Sequence, residues 1–139
     1  MIALVDIGNT RTKYVYQTGQ ALSDIQAIAN DQVTSDWLDQ HFSGASQFIV
    51  SNVCQNALSE LITAWAKQRS IYCHIVRSEK QRFGIVSAYS QPERLGVDRW
   101  LAMIGAYRLY PNKSILVIDA GTATTVDLIA ATGEHLGGW

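Results

Sequence analysis

One short pattern occurs twice in this chain, and it limits the fold more than any other feature. Ile2-Ala3-Leu4-Val5-Asp6-Ile7-Gly8-Asn9-Thr10 is an apolar run that ends in Asp-x-Gly and then Thr. Leu116-Val117-Ile118-Asp119-Ala120-Gly121-Thr122 repeats the pattern, with Asp119 lying 113 positions after Asp6. A second β-rich run follows each copy, residues 13–16 after the first and 125–129 after the second. An isolated Asp-x-Gly recurs by chance in many chains, but a matching strand–turn–strand setting around both copies is a stronger signal. Repetition of this kind means two related lobes. Only seventeen residues follow Thr122, so the second lobe is expected to be unfinished in this chain.

The periodicities between the copies support that frame. Residues 2–5 read as a buried strand ending at Asp6, with Gly8-Asn9 as a turn signal, and residues 13–16 as its β-rich partner. Thr18-Gly19 predicts a hairpin into a third strand near 22–28. Thr34-Ser35-Asp36 caps a short helix over 37–42, and residues 47–50 form another strand. Leu58, Leu61, Ile62 and Trp65 fall on one stripe of a helix from about 56 to 69, and 71–76 is again a strand. Residues 78–92 are polar and mixed, a long loop candidate. Residues 97–110 read as a helix with Trp100, Leu101, Ile104 and Tyr107 on one side, stopped by Pro111. Strands at 114–118 and 124–130 flank Gly121, and Thr132-Gly133 signals a second hairpin. Strands first in hairpins and then alternating with helices predict an α/β fold with a mixed sheet and flanking helices. The first lobe with its connecting helix is placed at 1–110, and the opening strands of the second at 111–139.

Composition excludes several classes. The 139 residues are 47% hydrophobic and 17% charged, which is a folded composition rather than a disordered one. A net charge of −1 and a pI of about 6.3 give no reason to expect nucleic acid or an anionic membrane as partner. No signal peptide or apolar span of membrane length is visible, so a cytoplasmic protein is expected. Cys54 and Cys73 lie in apolar settings without CxxC spacing and are expected to be buried free thiols. His41, His74 and His135 are scattered, and no two fall at i, i+4, which disfavours a histidine metal site.

The chemistry these turns can carry follows from their residue types. Glycine lets the backbone come close to phosphate, and exposed N–H groups with Thr hydroxyls donate to its oxygens. A carboxylate beside phosphate needs a cation between them, so Asp6 and Asp119 read as groups that hold a metal, directly or through water. The competing reading is that each only caps its tight turn. Lys13 adds a point charge, and Arg11 is open between phosphate contact and solvated turn residue. Asp98 supplies a carboxylate able to accept a hydroxyl proton, and Arg99 beside it offers a fork for a carboxylate. Asp-Arg is also a common helix start. Trp100, Leu101 and Ile104 read as core, as do Tyr14, Tyr16, Tyr107 and Tyr110.

Three segments together resemble the signature motifs of type III pantothenate kinases, in order and at suitable spacing. They are Asp6-Ile7-Gly8-Asn9-Thr10-Arg11-Thr12-Lys13, Leu95-Gly96-Val97-Asp98-Arg99 and Asp119-Ala120-Gly121-Thr122-Ala123-Thr124. Gly137-Gly138 looks like the opening of a fourth, a glycine pair that leads to Pro-Gly in the family. The resemblance implies ribonuclease H-like lobes of the actin-like ATPase superfamily. It further implies ATP-dependent phosphorylation of pantothenate, the first step of coenzyme A biosynthesis. Asp6, Ile7, Gly8, Asn9, Thr10, Arg11, Thr12, Lys13 and Thr122 would then bind ATP, with Asp6 near Mg2+. Asp119 would coordinate a monovalent cation, K+ or NH4+. Tyr89, Gly96, Val97, Asp98 and Arg99 would hold pantothenate, with Asp98 as the proton acceptor. A homodimer is implied for the complete protein, and a chain ending at Trp139 is expected to be inactive alone. The alternatives are another small-molecule kinase or phosphatase on the same scaffold, or a non-catalytic nucleotide-binding accessory protein.

Overall fold

In a computed structural model of the chain, describing residues 1–53, 57–121 and 123–139, Ile2–Ile7 forms a central strand, β1. Contacts divide the structure into two units, Met1–Val76 and Arg77–Trp139. In the first, β1 pairs antiparallel with β2 (Arg11–Thr18), which carries two short strands, β3 (Ala21–Leu22) and β4 (Gln26–Ala29). After helix α1 (Ser35–Phe42), strand β5 (Gln47–Asn52) runs parallel to β1. Helix α2 (Ala57–Gln68) then leads to β6 (Tyr72–Ile75), parallel to β5. The strand order is β3-β2-β1-β5-β6, with β4 also on β2. This mixed sheet agrees with the expected α/β class and with the ribonuclease H-like lobe that the resemblance implies.

The core explains the strands. Alternate residues Ala3, Val5 and Ile7 of β1 join Phe48 and Val50 of β5 on one buried face. Against it pack Leu38 and Phe42 from α1 and Ile62, Trp65 and Ala66 from α2. The Thr34 hydroxyl accepts the Trp37 N–H at 3.2 Å, which starts α1 at Ser35. One expectation fails here: the strand read at 22–28 is broken. Ser23 Oγ accepts the Tyr16 N–H at 3.0 Å, a donor that would otherwise serve the ladder, so residues 23–25 leave the sheet.

The second unit opens with a small hairpin, β7 (Gln81–Arg82) and β8 (Ile85–Val86), inside the region expected to be loop. Phe83 and Gly84 form its two-residue turn, both with positive φ (52° and 88°). Helix α3 (Val97–Leu109) follows. It buries Val97, Trp100, Met103 and Ile104, while Leu101 and Tyr110 are exposed. Reading those two as core is thus corrected: Leu101 lies about 100° round the helix from Trp100, Met103 completes the stripe, and Tyr110 falls beyond the last turn. Strands β9 (Ile115–Ala120), β10 (Thr124–Ile129) and β11 (His135–Gly138) form an antiparallel sheet in the order β11-β10-β9. Ile115, Val117 and Ile129 pack with Ile85, Leu95, Trp100, Met103 and Ile104, whereas Leu116, Ile118 and Leu136 are exposed. Cys73 is half-buried and free, and burial pushes its thiol pKa up; Cys54 lies outside the described residues.

Candidate functional site

The first Asp-x-Gly turn is held by its own backbone and by one asparagine. Asp6 stands opposite Lys13, and Ile7 opposite Thr12. The Gly8 N–H donates to the Arg11 carbonyl at 3.0 Å, and a Cβ at Gly8 would press on that same oxygen. Asn30 ties the loop from outside: its Nδ2 donates to Gly8 O at 2.9 Å and its backbone N–H to Thr10 O at 3.0 Å. Its Oδ1 accepts the Thr12 hydroxyl at 2.8 Å. Asp6, Asn9, Thr10, Arg11 and Lys13 are exposed. Ile7 and Thr12 are buried, and Ile7 can offer only its backbone. Ser51 is the parallel neighbour of Asp6, with a buried hydroxyl that has no hydrogen-bond partner among the described residues.

The second turn is shorter by one residue. Asp119 stands opposite Thr125 and Ala120 opposite Thr124, and the Gly121 N–H donates to Ala123 O at 3.1 Å. Asp119 is exposed, with a threonine rather than a lysine across the ladder. Thr122, expected to touch ATP, lies outside the described residues.

In the second unit the α3 N-terminus brings a carboxylate and a guanidinium into fixed positions. Gly96 caps the helix without a side-chain bond, and Asp98 Oδ1 accepts the Arg99 N–H at 2.8 Å. A Cβ at Gly96 would crowd Asp98 Oδ1 at 2.5 Å, so the glycine makes room for the carboxylate. Asp98 is exposed in the first turn, where the helix dipole favours its charge. Arg99 turns inward instead. Its Nε donates to Asp127 Oδ2 at 2.8 Å and its Nη2 to Asp127 Oδ1 at 2.6 Å, a bidentate pair in which Asp127 is almost fully buried. The hydrogen bonds to Asp127 raise the Arg99 pKa above its ordinary value, against burial, which lowers it, and the nearby Tyr89 adds to the rise. His135, also buried, approaches Asp127 Oδ1 through Nε2 at 2.9 Å and stacks on Tyr89 with ring planes 9° apart.

The structure therefore brings Tyr89 and Arg99 into one cluster and leaves Asp98 at its edge on the same helix turn. Asn30, Ser51, Asp127 and His135 were missed from sequence. A signal existed for one of them: Asp127 is a carboxylate in a strand whose neighbours Val126, Leu128 and Ile129 are apolar, and a buried acid needs a partner. Among the described residues no group of three or more His, Cys, Asp or Glu is arranged to hold a metal. Among the described residues no helix is long and apolar enough to cross a membrane.

A family model described as type III pantothenate kinase matches residues 2–139. A protein of Colwellia psychrerythraea named type III pantothenate kinase is 45% identical over 139 residues, covering 100% of this chain and 56% of its own length. One of the same name from Pseudoalteromonas translucida is 37% identical over 140 residues, covering 100% and 55%. The chain spans about half the length of the curated relatives it matches. Among solved structures, an Aquifex aeolicus member of the Ppx/GppA family is similar at 12% identity and a TM-score of 0.45, covering 99% of this chain and 49% of its own.

Proposed function

The chain belongs to the type III pantothenate kinase family, and from that premise we propose that the protein it represents transfers a phosphoryl group from ATP to the primary hydroxyl of pantothenate. The observation that carries the reading is the pairing at the start of α3. An exposed carboxylate, Asp98, is followed by a guanidinium, Arg99, whose position is fixed by two hydrogen bonds. Phosphoryl transfer to an alcohol needs positioning, charge neutralisation and a carboxylate to take the hydroxyl proton. Asp98 takes that proton, while Tyr89, Arg99 and the backbone from Gly96 to Val97 hold pantothenate.

The first turn takes the ATP phosphates. Its exposed Thr10 and Lys13, the N–H groups of the loop, and Asn9 and Arg11 face a polyanion, and Asp6 meets it through Mg2+. Thr122 adds a contact from the second turn. Asp119 holds K+ or NH4+. Asp6 and Asp119 suit hard cations, since both are exposed carboxylates that no described residue engages in an ion pair. Magnesium held there would supply charge neutralisation for the phosphates. Residues 111–139 open the second lobe of a protein that works in the cytoplasm as a homodimer. The test is direct. The protein at the full length of its relatives, given ATP, Mg2+ and K+, should convert pantothenate to 4'-phosphopantothenate, read by mass spectrometry of the product. Hydrolysis of ATP or of phosphoesters without that product would overturn the reading.

A further inference from the structure

We propose that Asp127 and His135 are positioning residues for the acceptor substrate, fixing Tyr89 and Arg99 relative to each other so that Arg99 presents a single free edge to the pantothenate carboxylate. The proposal rests on the functional reading above and deepens it. A guanidinium offers five N–H donors in a rigid plane. In Arg99 the Nε–Nη2 edge is taken by both oxygens of Asp127, so the fork read from sequence is already closed inside the protein. What remains for an external carboxylate is the Nη1 side, and the bidentate pair stops the plane from turning.

His135 is the joint of this arrangement. Its side chain is fully buried. Nε2 lies 2.9 Å from Asp127 Oδ1 and, since a carboxylate only accepts, donates to it, while Nδ1 faces the Ala88 N–H at 3.4 Å. The same ring stacks on Tyr89, with centroids 6.1 Å apart. One imidazole is thus linked to both side chains expected to hold the substrate: its ring stacks on Tyr89, and its Nε2 bonds the Asp127 that holds Arg99. Gly138 completes the support. It pairs with Asp127 across β10 and β11, and a Cβ there would run into Asp127 Oδ1 and Arg99 Nη2. The charges of Arg99⁺ and Asp127⁻ cancel within the bidentate pair, so Arg99 acts by direction more than by long-range attraction. That favours one planar carboxylate oxygen in one place.

The experiment uses the protein at the length of its relatives, with steady-state kinetics on pantothenate and on the analogue carrying an alcohol in place of the carboxylate. Asp127→Asn keeps the shape and removes the charge-assisted pair. The expected result is a pantothenate KM raised about 10- to 100-fold, an unchanged KM for ATP, and little change for the alcohol analogue. His135→Phe should act in the same direction, and His135→Gln, which keeps a donor toward Asp127, should recover part of the loss. Thermal melting separates folded variants from damaged ones, and the His135 pair carries the test if Asp127→Asn does not fold. Equal penalties on pantothenate and the alcohol analogue would overturn the proposal, because a merely structural pair weakens both. A wild-type protein that never phosphorylates pantothenate would overturn the functional reading and this inference with it.

Discussion

The two Asp-x-Gly hairpins differ in what surrounds them. In the first, β1 is bonded on both sides, by β2 and β5, and Asn30 clamps the turn at Gly8, Thr10 and Thr12. In the second, β9 pairs with β10, and the Gly121 N–H donates to the Ala123 carbonyl. Opposite Asp6 stands a cation, Lys13; opposite Asp119 stands Thr125. A braced loop with a positive charge beside it suits a polyanion, whereas a carboxylate with no neighbouring ammonium suits a bound cation. The same motif can thus support different chemistry, because the residue across the ladder sets the local charge.

The largest expected effect lies outside both turns and calibrates them. Asp98→Asn in the full-length protein should lower single-turnover phosphorylation by about 10²–10⁴-fold and leave ATP binding intact. A rate within about threefold of wild type would remove Asp98 from its proposed role. Next is the clamp. Asn30→Ala frees the Gly8 carbonyl and the Thr12 hydroxyl, and ATP affinity by calorimetry should weaken about tenfold. Unchanged affinity would mean that the first turn is no better prepared than the second. A smaller, several-fold effect is expected from the cation. Turnover should be faster in potassium or ammonium than in sodium, and Asp119→Asn should erase the difference. Equal wild-type rates in the two salts would leave the turns chemically alike.

The smallest effect contrasts an exposed ion pair with the buried one at Arg99. Asp39 accepts from Arg69 Nε and Nη2, both at 2.6 Å, and from Trp65 Nε1 at 3.1 Å. The Arg69 hydrogen bonds, helped by Trp65, hold the Asp39 carboxyl below its ordinary pKa, against desolvation. A depressed folded-state pKa contributes stability above the unfolded value, and that contribution is lost as pH falls through the folded value. Asp39→Asn should therefore hardly move the thermal midpoint at neutral pH and should flatten its decline on the acid side of the carboxylate range. A large drop at neutral pH would show that this surface pair holds the unit together.

How much of this was legible in the sequence varied with the range of the interaction. Strands β1 and β5 and helix α2 were readable because Val5, Val50, Ile62 and Trp65 sit in regular apolar patterns. The β7–β8 hairpin was not, since two-residue strands have no period to detect. Ser23 broke an expected strand through a hydroxyl that replaces a backbone acceptor, which hydropathy does not register. At the candidate site, Asp98 and Arg99 stood out because they are adjacent. Asn30 reaches Thr12 across 18 positions, Asp127 reaches Arg99 across 28, and His135 reaches Ala88 across 47. Spacing alone cannot reveal such partners, because they meet only after the sheets have formed.

The self-contained sheet of Met1–Val76 has a consequence for biosynthesis. Its strands pair among themselves, and its core draws on side chains up to Ile75. A ribosome adds about 5–20 residues per second, so this unit can begin to fold within seconds of leaving the exit tunnel, before the later strands are made. The later strands carry the apolar residues Leu116, Ile118, Leu136 and Trp139. On the nascent chain, those side chains form the surface that a holding chaperone would meet.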